Sequence, residues 1–373
     1  MKRKISMLMT LLALGIVHIP VLGATDLKFS DFVDEIKLKG DLRLRHESFW
    51  KNPDQDRHRQ RLRLRVETKF KISDFTAGIR IASGSADQTS TNQTFDNLFS
   101  SKDIFLDRAY LSWKGANTEW LKLTGGKMAI PFFTFYSTDI VWDSDVNPEG
   151  FSESFSFPIG SEIFVNLGQF VLDEDSGSNK DQWMFGQQVG LTLDLVENTE
   201  ATLAIAYYVT DNATQSTLSQ ASTLDGNSRD GSGVLINEYR TLDVTGVVKT
   251  KIGGLPVSVG GDYIKNLTDT VNAAGTGTGN DGYQVGVILG KAKKAKDWEV
   301  AYFFKRVETD ATLADISDSD FGDGGLNRKG HIVWGAYRIF DFLKTQVKFF
   351  STEALSEPKD DIDRLQVDLI GYF

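Results

Sequence analysis

Between Arg57 and Val66 the chain reads RHRQRLRLRV, with arginine at 57, 59, 61, 63 and 65 and with Leu62, Leu64 and Val66 filling the alternate positions of the second half. A helix would spread these arginines around its circumference, whereas a strand sends all five to one side and the aliphatic residues to the other. The run is a strand. Guanidiniums cannot enter an apolar core without partners, and facing lipid each would cost about 2 to 4 kcal/mol at the bilayer midplane. Neighbours on one strand face lie about 6.8 Å apart, where two positive charges repel by roughly 0.6 kcal/mol at water-like dielectric. That is tolerable only where water is present. The chain must therefore build a sheet wet on one face and apolar on the other, either a soluble sandwich or a membrane barrel with a wet lumen.

The first residues, MKRKISMLMTLLALGIVHIPVLGA, combine Lys2, Arg3 and Lys4 with an apolar stretch to Leu22 and the small residues Gly23 and Ala24. This is the pattern of a secretory signal peptide over residues 1–24, removed to leave 25–373 as one barrel domain. Its removal takes the formal net charge from −10 to −13, since it carries three basic and no acidic residues. There is no cysteine, which rules out a disulfide framework, thiol catalysis and thiolate metal sites. No later stretch reaches the roughly 18 apolar residues of a spanning helix, so a membrane role requires alternating strands.

Such strands recur along the chain. Period-two segments fall at about 36–49, 57–70, 75–83, 104–114, 120–127, 150–157, 162–172, 182–195 and 201–209, then 237–251, 256–266, 283–290, 298–307, 331–339, 343–350 and 362–373. That is about sixteen, an even number, as a bacterial barrel requires. The connections alternate in length. KISD, KGANTE, PIGSE, VENTE, KIGGL, KAKKAKD and DF are short, while 84–103, 128–149, 210–236, 267–282 and 308–330 are long. Short periplasmic turns and long external loops produce this sorting, and a soluble sandwich has no reason for it. The last strand, RLQVDLIGYF, alternates Leu365, Val367 and Leu369 with Arg364, Gln366 and Asp368 and stops at Phe373. Its terminal aromatic resembles the signal by which outer-membrane barrels are recognised for insertion.

Several stretches resemble the putative-porin family of Gram-negative outer-membrane β-barrels: GDLRLRHESF from Gly40, DRHRQRLRLRVE from Asp56, SGSADQTSTNQTFDNLFSSKDIFLDRAYLSW from Ser83, LKLTGGKMAIPFF from Leu121 and DIVWDSDVNPEG from Asp139. The close matches cover the first 150 residues, and the later strands match in pattern. The resemblance implies an all-β antiparallel up-and-down barrel in the cell outer membrane, surrounded by lipid and lipopolysaccharide and assembled as a homotrimer. Small hydrophilic solutes and ions would diffuse passively through it.

On the inward parity of the first five strands lie Lys37, Lys39, Arg43, Arg45, Arg57, Arg59, Arg61, Arg63, Arg65, Arg80, Arg108 and Lys122, a basic wall. The connection 128–149 carries Pro131, Phe132, Phe133, Phe135, Tyr136 and Trp142, too apolar for solvent, together with Asp139, Asp143, Asp145 and Glu149. It is expected to fold inward and narrow the pore, its acids facing the basic wall. Rings of arginine and lysine favour anions, which predicts a modest anion preference. The bland alternative is that the acids occupy the arginines and merely tie the loop down.

Other motifs carry less. DISDSDFGDGG from Asp315 has calcium-loop acids without the closing glutamate and reads as a solvated acidic external loop. GTGTGND from Gly275 has neither a following helix nor a lysine, as a phosphate cradle would need, and reads as a flexible loop. His46 and His58 on adjacent strands lack an arranged carboxylate and read as rim residues. No serine has a persuasive base and orienting group, so no enzymatic activity, cofactor, metal or nucleic-acid partner is expected. The rival readings are a surface adhesin or structural barrel with a blocked pore and, more remotely, a barrel hydrolase.

Overall fold

The computed structural model describes residues 32–85, 87–136, 140–158, 161–177, 179–215, 226–356 and 360–373; the leader segment lies outside the described residues. Seventeen strands follow one another: β1 (Glu35–Asn52), β2 (Arg57–Ile72), β3 (Phe75–Ser83), β4 (Gln93–Thr94), β5 (Ile104–Trp113), β6 (Leu121–Lys127), β7 (Glu149–Pro158), β8 (Glu162–Asp173), β9 (Gln182–Val196), β10 (Thr199–Asp211), β11 (Arg240–Ile252), β12 (Leu255–Asn266), β13 (Asp281–Gly290), β14 (Trp298–Val307), β15 (Arg328–Phe340), β16 (Leu343–Ala354) and β17 (Asp361–Tyr372). The two-residue β4 belongs to a loop and clips onto β2 through Arg61↔Thr94 and Leu62↔Gln93. The other sixteen form one antiparallel sheet in which each strand pairs with its chain neighbours and β17 returns to β1, from Asp41↔Tyr372 to Asn52↔Asp361. Closure leaves no exposed edge, the condition for a sheet to exist in lipid.

Alternation decides which way each side chain points. On β1, Leu42 and Leu44 stay exposed, whereas Asp41, Arg43, Arg45 and Glu47 between them are buried inside. The same contrast runs around the barrel, with Ile79, Leu191, Val259, Val285, Val347 and Val367 outward. Aromatics stack near the ends of the outer face, as in Trp183 with Phe185 and Phe340 with Phe342. The connections segregate by length. One rim is closed by residues 73–74, 197–198, 253–254 and 341–342 and the other by 84–103, 128–148, 212–239, 267–280 and 308–327.

Strict alternation fails once where it matters. A bulge lets Arg80 pair with Arg108 while the next residue, Ile81, pairs with Leu106, so Asp107 is the extra residue. Asp107 and Arg108 therefore both serve the inner wall, where alternation alone would send Asp107 outward. A second backbone device sits at the base of the 128–148 connection. Gly126 and Gly150 face each other with φ of 114° and 150°, and a Cβ there would lie 2.3 Å from the Ala109 carbonyl oxygen and 2.0 Å from that of Gln169. Only glycine allows the chain to leave and re-enter the sheet at these points.

Candidate functional site

Register makes the arginine wall a problem that other residues must solve. Arg43 stands directly opposite Arg63, Arg45 opposite Arg61, and Arg80 opposite Arg108. Like charges in such positions destabilise a sheet. Carboxylates from the same strands interleave. Asp41 accepts from Arg63 (2.7 Å) and from Arg65 (2.8 Å), and Asp368 of β17 takes Arg45 through two bonds of 2.7 and 2.8 Å. Glu47 binds Arg59, lies 3.5 Å from Arg61 and accepts from Arg364 Nε at 3.0 Å. Asp107 pairs with Arg80. Such charge-assisted contacts fix both the position and the orientation of the guanidinium planes.

The remaining acceptors come from three loops that turn into the barrel. From 128–148, Asp145 lies 3.4 Å from Arg65 and 3.9 Å from Arg63, and Asn147 Oδ1 accepts from Arg108 (2.6 Å) and Arg80 (3.2 Å). From 84–103, Asn92 accepts from Arg43 at 2.6 Å, and Thr91 donates to Asp145. From 308–327, Asp320 binds Arg364 at 2.7 Å and lies 3.7 Å from Arg45. Counting Arg364 with Arg43, Arg45, Arg59, Arg61, Arg63, Arg65, Arg80 and Arg108, nine guanidiniums meet the six carboxylates Asp41, Glu47, Asp107, Asp145, Asp320 and Asp368. Positive charge remains in excess, but each of these guanidiniums donates to a protein acceptor.

The far half of the 128–148 loop is seated differently. Phe132, Ile140, Val141 and Trp142 are buried with Phe170 of β8, Met184 of β9 and Tyr208 of β10. The Phe132 ring stacks on Trp142 at 5.9 Å and meets Tyr208 edge-on at 5.1 Å. Two wall glycines make room for it, since a Cβ on Gly186 would sit 2.3 Å and one on Gly168 3.1 Å from the ring. Gln188 exchanges hydrogen bonds of 2.7 and 2.9 Å with the Phe133 backbone. Farther along, Phe135 and Tyr136 reach Phe303 and Trp334 on β14 and β15. The loop thus runs across the lumen from β8 and β9 to β15.

Three expectations need correction. Glu149 is not a loop acid; it opens β7, is exposed, and pairs with Lys127 at 2.6 Å. Asp143 does not face the arginines. Its carboxylate accepts from Ser319 N and Oγ, both at 2.8 Å, and joins two inward loops. Burial, followed by the nearby Asp145 and Asp318 carboxylates, pushes it well above the ordinary aspartate value. Lys122 keeps its inward parity and lies with Lys37, Lys69 and Lys71 at a cavity near the short-turn rim. Segment 315–325 is no solvated external loop. Asp315, Asp318 and Phe321 are buried, and Asp315 pairs with Arg229, Asp318 with Lys305 and Asp323 with Lys51. Asp139 lies outside the described residues. His46 and His58 are bridged by the Ser48 hydroxyl at 3.0 and 2.9 Å.

Reading by parity alone missed Asp107, hidden by the bulge, and the acceptor role of Asn147. It placed Asp41 and Asp368 on polar faces without their partners: those of Asp41 lie across the β1–β2 register, and Arg45 meets Asp368 only because β17 closes onto β1. At the outer end of the wall, a cavity of about 310 Å³ opens between Arg57, Arg59, Arg61 and Arg364 on one side and Asp87, Asp320 and Asp323 on the other. Water and a small solute can occupy it.

The comparisons with known proteins agree with this architecture. Among solved structures, the chain is similar to OprB of Pseudomonas putida, with a TM-score of 0.62 and 12% identity over 91% of this chain and 94% of that one. It is also similar to the outer-membrane channel DcaP of Acinetobacter baumannii (TM-score 0.55, 13% identity, 92% and 99% covered) and to OmpT of Vibrio cholerae in its trimer form (0.51, 11%, 91% and 100%). At such identities the likeness shows the fold. No curated protein matches the chain. The model of one family, described as putative porin, matches residues 48–232 and 212–373, nearly everything beyond the leader and the start of β1. The chain belongs to this family of outer-membrane porins, channels for passive diffusion.

Proposed function

We propose that small hydrophilic solutes and ions cross the barrel between the arginine wall and the inward loops, with residues 128–148 and 308–327 together narrowing the passage. The observation that carries this reading is the Asp145 clasp on Arg63 and Arg65, which holds a loop with an aromatic anchor across a charged lumen. A closed barrel with an apolar outside and so polar an inside needs lipid around it and water within it.

Modest anion preference follows from the surplus of guanidiniums over carboxylates. The pairing reduces that preference, because an anion must compete with carboxylates already in contact. The outward aliphatic belt suits outer-membrane lipid and lipopolysaccharide, and the OmpT trimer supports a homotrimer. Export by cleavage after Ala24 predicts that the purified mature chain begins at Thr25, which N-terminal sequencing checks.

Planar-bilayer recording tests the pore. Folded protein should insert in steps of uniform conductance, and the reversal potential in a salt gradient should favour the anion. Folded protein that inserts without conducting would support a blocked structural barrel instead. A clear cation preference would remove the anion assignment while leaving the channel.

A further inference from the structure

The short-turn end of the same wall differs from the arginine ladder. β1, β2, β6 and the turn that follows β5 bring Lys37, Lys39, Lys69, Lys71, Lys114 and Lys122 to one stretch of the inner face. Register sets Lys37 opposite Lys69 and Glu35 opposite Lys71, and the Lys114 backbone N–H donates to the Asp74 carbonyl at 2.9 Å. A cavity of about 300 Å³ opens among five of these lysines, with the Thr76, Tyr110 and Ser112 hydroxyls along its wall. Three carboxylates accompany the six ammonium groups. Glu35 pairs with Lys37 (2.9 Å), Glu67 takes Lys39 (2.8 Å) and Lys69 (3.7 Å), and Asp74 lies at the cavity. Lys71, Lys114 and Lys122 have no carboxylate within ion-pairing distance among the described residues.

The contrast concerns available donors. Every guanidinium of the nine-arginine ladder already donates to an acceptor of the protein, and the unpartnered Arg43 Nε, Arg45 Nη1 and Arg61 Nε are buried, so an anion there competes with contacts already made. The three unpaired ammonium groups line one open cavity, and like charges in such a place repel over a Debye length of about 8 Å at physiological salt. A ligand with several negative oxygens relieves that repulsion and accepts from more than one lysine together.

We infer that the lysine crescent at the short-turn mouth is a binding site for small multivalent oxyanions, of the phosphate or polycarboxylate type, and contributes more to anion preference than the arginine ladder does. This assignment rests on reading the lumen as a water-filled passage, but its binding arm does not require conduction. Inorganic pyrophosphate is the probe. Titration calorimetry on the full-length folded barrel in detergent should give one saturable event per chain. In the Lys71→Gln/Lys114→Gln/Lys122→Gln variant, affinity should fall about tenfold or more, the loss of at least one charge-assisted hydrogen bond. The same variant should move the reversal potential toward zero further than Arg63→Gln does.

A control variant, Lys293→Gln/Lys294→Gln, removes like charge from another short turn and should leave binding within twofold of the parent. Heat-modifiable migration on gels verifies that each variant folds. Pyrophosphate binding that is absent, or equal in parent and triple variant, overturns the site even if the barrel conducts. Binding that survives in the parent while no channel conducts would overturn the pore and keep the site.

Discussion

The two halves of the inward 128–148 loop are held by opposite physics. Phe132 and Trp142 lie among Phe170, Met184 and Tyr208, against glycines that leave space for a ring. Asp145 and Asn147, a few residues later, are fastened to arginines by charged hydrogen bonds. The apolar seat gains from removing hydrocarbon from water and from dispersion, so it is indifferent to salt and pH. The polar seat exchanges hydration for ion pairs and has a smaller net return, because desolvation opposes the attraction. One half of the loop should therefore act as a fixed anchor and the other as an adjustable clasp.

The largest effect should come from the anchor. Phe132→Ala removes a buried ring from between two glycines and three aromatic neighbours, at a cost of about 3 to 5 kcal/mol to loop docking. Single-channel conductance should rise and become noisy, and the loop should become susceptible to protease. Gly186→Leu attacks the same seat from the wall by placing carbon where the ring already is, with a penalty of about 1 to 3 kcal/mol. It should mimic Phe132→Ala. A conductance unchanged in both variants would mean that the anchor does not hold the loop.

Asp145→Asn should cost less, about 1 to 3 kcal/mol, since Arg63 and Arg65 keep Asp41 as a partner. It should shift the reversal potential toward anions with little change in conductance, separating the clasp from the anchor.

The pH response follows from the same division. Burial raises the Asp145 and Asp320 carboxylates, but Arg63 and Arg65 hold the first, and Arg364 and Arg45 the second, below the ordinary value of 3.8. A lowered folded value means a contribution complete above 3.8 and lost as pH falls through the folded pKa. Asp143, raised by burial and by Asp145 and Asp318, carries the opposite sign; its contribution is complete below 3.8 and lost as pH rises through its raised pKa. The Asp145 and Asp320 clasp should therefore hold on acidification until the pH is below 3.8, while Asp143 takes up its proton at higher pH with the opposite sign and does not release the loop. Loop release on acidification above pH 3.8, read as larger and noisier steps, would contradict the pairing of Asp145 and Asp320. The smallest effect belongs to Glu149→Gln. Its exposed pair with Lys127 is worth about 0 to 1 kcal/mol, and both conductance and selectivity should stay as they are.

Much of this molecule was legible before its structure was. Strand positions follow from period-two alternation, and sixteen strands with length-sorted connections define a closed barrel. The aromatic residues of 128–148 announced a loop that avoids solvent. The rest depended on register and on backbone irregularity. Arg45 and Asp368 meet because β17 closes onto β1, and no local pattern joins residues so far apart in sequence. Asp107 turns inward because of a one-residue bulge, which alternation conceals. The acidic segment 315–323 looked like a solvent-exposed loop because composition shows its carboxylates and not the Arg229, Lys305, Arg364 and Lys51 that receive them.

The most direct test of a passage narrowed by an inward loop is single-channel conductance of the parent and of Phe132→Ala in planar bilayers under identical salt. Uniform steps in the parent and larger, noisier steps in the variant are the expected result. Folded parent protein that inserts without conducting, or a variant whose steps match the parent's, would contradict the account.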